Sequence, residues 1–417
     1  MKMNKWTLGL AAVGLVSLAP GLRAAPVPVT GLTATTISGY VDTSAVWNPG
    51  TGNANPAPYA FNSGKQDGFN VDSVDIRLEK PLAEGQWDAG YVAELMYGPD
   101  AEVALGGWEP LRQAYVDLRV PLGNGLDFKL GEWDNLLGYE STDGYKNPNW
   151  TRSYGYTIEP TEHVGLLATY KFCDAVTAQV GVANELSAGY NRNYSGGTYD
   201  SYYYNHTIES KKAIVSLLSL TAPDSWGWLK GSGLYAGVDY GPGNAYSRPA
   251  AGYVTTPAYN SHRVDKTHLY VGATVMTPIT GLSLGAAWDT VNNADLGNVE
   301  GYASTLAGYL SYKATDKLTL NSRFEYAHGS AFDSMFAENS TWFETHGRPQ
   351  EAKVLALTET IQYQLWDNVI SRLEFRWDHS ADGSPHFGGD NNYYYDEGYY
   401  PTKHNELMVA ANIIYKF

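Results

Sequence analysis

The sequence has a single cysteine, Cys173, so no internal disulfide can hold the chain together. Basic residues are scarce: 28 Lys and Arg stand against 44 Asp and Glu, a formal net charge of −16. That sign excludes a nucleic-acid partner, because phosphate backbones require the opposite charge. Beyond the N-terminus there is no run of 18 apolar residues, hence no segment able to cross a bilayer as a helix. The nine histidines include no HExxH and no paired ligand spacing, so neither a metal nor any other cofactor is expected. Hydropathy averaged over the chain is that of a soluble protein. This does not exclude a transmembrane β-barrel, whose strands are only half apolar.

What is present begins with an export signal. Lys2 and Lys5 precede an apolar run from Trp6 to Leu18, and the small residues Ala24 and Ala25 offer a cleavage site. The expected division is a signal peptide over 1–24 and a single barrel domain over 25–417. Removing 1–24 takes away three basic residues and no acid, which leaves 25 against 44 and a net charge of −19.

The body of the chain alternates with a period of two, which puts apolar and polar residues on opposite faces of strands. Val74, Ile76 and Leu78 alternate with Asp75, Arg77 and Glu79; Leu373, Phe375 and Trp377 alternate with Arg372, Glu374, Arg376 and Asp378. The last strand, HNELMVAANIIYKF, keeps Leu407, Val409, Ala411, Ile413, Tyr415 and Phe417 on one face. Sixteen such segments of 9–13 residues can be read, the length a tilted strand needs to span a bilayer. Seven brief connections alternate with eight long polar ones: 48–68, 98–109, 134–161, 186–208, 242–264, 291–300, 329–351 and 380–403.

This pattern predicts an all-β, up-and-down antiparallel transmembrane barrel of about 16 strands. The short turns and both termini belong in the periplasm, and the long loops outside the cell. Closure satisfies every backbone group that lipid cannot. Sixteen strands leave room for water inside, where charges on the polar face are tolerated.

Residues 69–185 carry a resemblance. The runs FNVDSVDIRLEKPL and LRQAYVDLRVPLGNGLDFKLGEWDNLLGYES are followed by NPNWTRSYGYTIEPTEHVGLLATYKF. Together they resemble the OmpL-like β-barrel porins of Gram-negative bacterial outer membranes. Asn147, Pro148, Asn149, Arg152, Ser153, Tyr154, Gly155, His163 and Gly165 make up the most recognisable stretch. The resemblance implies an outer-membrane channel for small solutes. The final strand, with Tyr415 and Phe417, is similar to the signal read by the barrel-insertion machinery.

Pore-lining candidates are Asp75, Arg77, Glu79, Asp117, Arg119, Asp127, Lys129, Arg323, Glu325, Arg372, Glu374 and Arg376, mixed in sign and expected to pair across strands. The third long loop, 134–161, is expected to fold inward as a constriction. There Arg152 would face Asp134, Glu140 or Asp143 and set a transverse field, with Lys146 nearby. Glu359 falls on an apolar face, so either the register slips there or the residue sits near an interface. Tyrosine clusters at 199–206 and 391–400 suit loop packing or stacking on sugar rings.

The expected function is passive diffusion of small hydrophilic solutes and ions, mildly cation-preferring, with no enzyme chemistry. Expected partners are outer-membrane lipid, the insertion machinery and the solutes; the pattern also allows a homo-oligomer. Competing readings are a loop-plugged surface adhesin or structural barrel, and an outer-membrane hydrolase. The only hint of a hydrolase is Asp378 beside His379, which a strand would point to opposite faces.

Overall fold

A computed structural model describes residues 27–28, 34–52, 56–57, 65, 67–101, 110–186, 212–243, 264–295, 300–330, 351–389 and 401–417. The expected signal segment 1–24 and the tyrosine clusters at 199–206 and 391–400 lie outside the described residues.

The alternating segments form strands β1 (Thr36–Trp47), β2 (Gly68–Lys80), β3 (Asp88–Tyr97) and β4 (Leu111–Val120). Then come β5 (Leu126–Asp134), β6 (Glu162–Cys173), β7 (Val176–Ala183) and β8 (Ala213–Thr221). The second half holds β9 (Gly233–Gly243), β10 (Val264–Met276), β11 (Leu282–Asp295) and β12 (Glu300–Lys313). The last four are β13 (Leu318–Gly329), β14 (Ala352–Trp366), β15 (Val369–Ser380) and β16 (Asn405–Lys416).

Each strand pairs antiparallel with the next, and β16 returns to β1, so the sheet closes into a 16-stranded barrel. At this seam Phe417 and Gly39 exchange two backbone hydrogen bonds of 3.0 Å. A two-residue segment, Val27–Pro28, pairs with Thr36–Ile37 beside the ring. Closure leaves no free strand edge, the condition a lipid environment imposes.

Alternation decides which side chains face out. Leu373 and Phe375 are exposed on the outer face, whereas Arg372, Glu374 and Arg376 between them are buried inside. Tyr415 and Phe417 point outward, 47% and 41% exposed. Trp87 and Tyr312 are exposed near the same, short-turn end, and Tyr97 lies toward the other. Such rings suit an interfacial girdle.

Two local departures from period two matter. Asp42 pairs with Ser73 but Thr43 with Val71, which leaves Asp72 as an extra residue in β2. Likewise Glu94 pairs with Gln113 but Leu95 with Leu111, leaving Arg112 extra in β4. A bulge re-aims a side chain, and both Asp72 and Arg112 are fully buried with the inward set.

Three expectations need correction. The connection expected over 291–300 is mostly strand: β11 runs to Asp295 and β12 starts at Glu300, with an irregular register between Asn292 and Ala294. Cys173, read from the sequence as lying in one of the short turns, closes β6 and pairs with Val176. The inner face is not polar throughout. Along β7 and β8 it presents Ala183, Ala213, Val215 and Leu217, all buried. They belong to one buried apolar cluster with Leu136, Leu137 and Tyr139 of the loop described next.

Candidate functional site

The 135–161 connection between β5 and β6 begins with an Asn135 side chain that donates to Leu137 O at 2.8 Å and accepts from His163 Nε2 at 3.1 Å. Leu136, Leu137 and Tyr139 then pack with the apolar inner wall. Glycines make the recesses: a Cβ on Gly237 of β9 would lie 2.3 Å from Leu137, and one on Gly285 of β11 would lie 2.0 Å from the Tyr139 hydroxyl. Tyr139 stacks on Tyr309 of β12, ring centroids 4.0 Å apart.

The middle of the loop reaches β1 and β4. The Tyr145 ring packs edge-on against Tyr40 at 5.1 Å. Asp143 accepts from Arg112 at 2.6 Å and pairs with Lys146 at 2.5 Å. Burial opposes charge on Asp143, but Arg112 and Lys146 together hold its carboxyl below the usual carboxylate range. Arg112 also holds Glu94, and it donates to both oxygens of Asp134 at 2.9 and 3.0 Å.

The NPNWTRSYGY stretch is bound to β13, β14 and β15, largely through its backbone. Arg372 donates to Gly144 O at 3.0 Å and Asn147 O at 2.7 Å. Asn321 donates to Pro148 O, and Asn149 donates to Thr360 Oγ1, at 2.8 and 2.7 Å. Glu374 accepts the amides of Trp150 and Thr151 at 2.5 and 2.9 Å. Arg323 donates to Thr151 O and Arg376 to Arg152 O, at 2.8 and 2.9 Å.

A single helical turn, α1 (Tyr154–Ile158), follows. Ser153 caps it by accepting from the Tyr156 amide at 3.1 Å. The Tyr154 amide donates to Glu325 at 2.6 Å and its hydroxyl to Asp378 at 2.8 Å. The indole of Trp150 donates to Asp72, the bulge residue, at 3.0 Å.

The buried arginines carry their own counter-charges. Arg323 meets Glu325 and Glu140, each at 2.7 Å, and Arg376 meets Asp378 at 2.8 Å. Elsewhere Arg77 bridges Glu79 at 3.1 Å and Glu94 at 2.6 Å, and Arg119 binds Asp127 at 2.6 Å. Asp117 and Lys129 are register partners on β4 and β5, with the Lys129 ammonium 4.5 Å from the Tyr115 ring centre. Asp75 is buried with Glu94 and Asp143 close by. Pairing across strands therefore holds for Arg77–Glu94 and Arg119–Asp127. Arg323–Glu325 and Arg376–Asp378 instead pair two residues along one strand.

Arg152 departs from expectation. The three acids it was expected to face are engaged elsewhere: Asp134 and Asp143 with Arg112, Glu140 with Arg323. Arg152 itself donates to Trp150 O at 2.9 Å and Thr142 O at 2.8 Å, inside its own loop. Arg112 and Asp72 escaped the sequence reading because period two assigns both to the lipid face. A charge on that face was the one available signal.

Glu359 carries the same signal and has a different outcome. The register does not slip; Glu359 faces outward and accepts from Ser322 at 2.6 Å. Asp378 and His379 point to opposite faces. Asp378 is buried with Arg376 and Tyr154, while His379 lies outside, 2.8 Å from Asn405 and stacked on Trp377.

A family profile described as "Putative beta-barrel porin-2, OmpL-like" matches residues 34–417. The chain belongs to this family. It is an outer-membrane porin, a channel family embedded in lipid and passing solutes. Solved outer-membrane structures share the fold of this OmpL-like porin. OprB of Pseudomonas putida is 14% identical, with a TM-score of 0.57 over 92% of this chain and 94% of that one. OmpT of Vibrio cholerae in its trimer form is 10% identical, with a TM-score of 0.54 over 92% and 99%. An anion-selective porin from Comamonas acidovorans is 12% identical, with a TM-score of 0.53 over 92% and 99%. Comparison with curated proteins returns no match. In this OmpL-like porin the stretch that carries the resemblance, Asn147 to Gly155, is also the stretch bound to the arginine-bearing wall.

Proposed function

We propose that the barrel passes small hydrophilic solutes and ions by passive diffusion, and that the 135–161 loop is its constriction. The observation carrying this reading is the loop's attachment to β13–β15, by Arg323, Arg372, Arg376 and Glu374, on the side of the ring opposite its own hairpin. A loop so held narrows the passage without moving during transport.

Selectivity follows from the two walls. Glu132 and Glu162 of β5 and β6 are buried on the side of the ring opposite the arginines of β13 and β15, and Asp239 is buried on the inner face of β9 between them. Opposed walls of this kind set a transverse field at the constriction. The arginines are compensated by Glu140, Glu325 and Asp378, so the acid surplus gives a mild cation preference. The short turns and termini face the periplasm. The β16 end is the segment the insertion machinery reads, and the outer wall is free to form a homo-oligomer.

The loop also bonds or packs against β1, β4 and β9–β12. That favours a second reading, a structural barrel plugged by its loop. Single-channel recording of the refolded protein in planar bilayers decides between them. Steady ohmic steps, with a reversal potential on the cation side of a salt gradient, support diffusion. A silent wild-type barrel that conducts once Arg323 and Arg376 are replaced by alanine supports the plug.

A further inference from the structure

Beneath the crossing loop, toward the short-turn end, lies an open recess, about 580 Å³ with the adjoining open solvent included. The loop supplies its roof through Tyr139, Tyr145 and Lys146, and the wall supplies Tyr309, Lys313 and Gln362. Two cations line it, and among the described residues no carboxylate does. In a chain with a net charge of −16 this lining carries no acid of its own, although Asp143 and Asp316 pair with the two lysines from outside it.

Donors here have capacity left. Lys146 is tied to Asp143 by one contact, and Lys313 is 3.5 Å from Asp316; an ammonium carries three N–H groups. Gln362 commits its carbonyl to Arg372 at 2.9 Å, which leaves the amide NH2 as the group it can offer. Ser283, Ser311 and Thr319 add hydroxyls that can accept as well as donate. Tyr139 and Tyr309, each largely buried and stacked on the other, line one side.

We propose that this recess is a binding site for small hydroxylated carboxylates of the sugar-acid class. The carboxylate lies between Lys146 and Lys313, and the hydroxyl-bearing body meets the Gln362 amide and the wall hydroxyls. The inference rests on the reading of the barrel as a solute channel, and it gives that channel a waypoint on its short-turn side.

Titration calorimetry on the refolded full chain in detergent micelles tests it, with sodium gluconate as the probe and glucose and sodium chloride as comparators. Saturable heat is expected for gluconate and none for the comparators. Lys313→Glu should weaken gluconate binding by about tenfold or more, since it reverses a charge facing the ligand. Gln362→Ala, away from both lysines, should weaken it less. Circular dichroism confirms that each variant is a folded barrel. No saturable gluconate binding in the wild type, or equal binding in both variants, overturns the proposal. Binding in micelles needs no open pore, so a barrel that binds gluconate yet never conducts sinks only the channel reading. One that conducts without binding sinks only this one.

Discussion

Arg323 of β13 and Glu140 of the crossing loop, 183 residues apart in the chain, form an ion pair of 2.7 Å with neither side chain exposed. A buried pair of this kind adds little over a hydrophobic match, yet it is costly to break from one side.

Arg323→Ala should therefore do more than delete one contact. It takes the closest counter-charge from Glu140 and Glu325 and frees the Thr151 carbonyl, at a cost of about 3–5 kcal/mol. Urea unfolding of the refolded barrel should show a lower midpoint, and single-channel records a larger, noisier conductance as the loop detaches. Unchanged conductance would mean that the remaining anchors suffice.

Gly285→Val fills the recess that receives the Tyr139 hydroxyl. Tyr139 must leave its stack on Tyr309, and overpacking of this kind costs about 1–3 kcal/mol. Thermal unfolding measures the loss. Gly50→Val, placed where a Cβ meets nothing but has to adopt positive φ, serves as the control for backbone strain alone.

Glu359→Leu should go the other way. A carboxylate on the outer wall is unfavourable in lipid, and Ser322 is its described partner. Replacement should stabilise the barrel in bilayers by about 1–2 kcal/mol, read from urea titration. A drop in stability would place Glu359 in an interface with another polar surface.

Asp382, just past β15, gives a pH signature. Burial raises its carboxyl, but His386 and the amides of Lys353 and Ser384 hold it down at about 2. A depressed carboxyl contributes order above its unfolded value, near 3.9, and loses it as pH falls through the folded one. Protection factors over 381–387, with the intrinsic pH dependence of exchange divided out, should thus fall between about pH 4 and pH 2 and be flat above. Asp382→Asn should remove that step.

The strands were legible because lipid outside and charge inside impose opposite demands on neighbouring residues, and β13 and β15 display that contrast fully. β8 displays it poorly, since Val215 and Leu217 face an apolar loop while Ile214 and Leu218 face out. Both faces of that strand are apolar for different reasons. The charge partners within the site were not legible. Asp72 and Arg112 reach the interior only through bulges, and a charge on the outer parity reads identically whether a bulge turns it in or, as at Glu359, nothing does.

The attachment of the crossing loop has a consequence for how such a protein can change over generations. Arg323, Arg372 and Arg376 hold carbonyl oxygens of Gly144, Asn147, Thr151 and Arg152, and Glu374 holds two amides. Every residue type offers those atoms except the proline nitrogen. Side chains at several of these loop positions can therefore be exchanged while the fastening stays intact. Selectivity and scaffold are inherited separately.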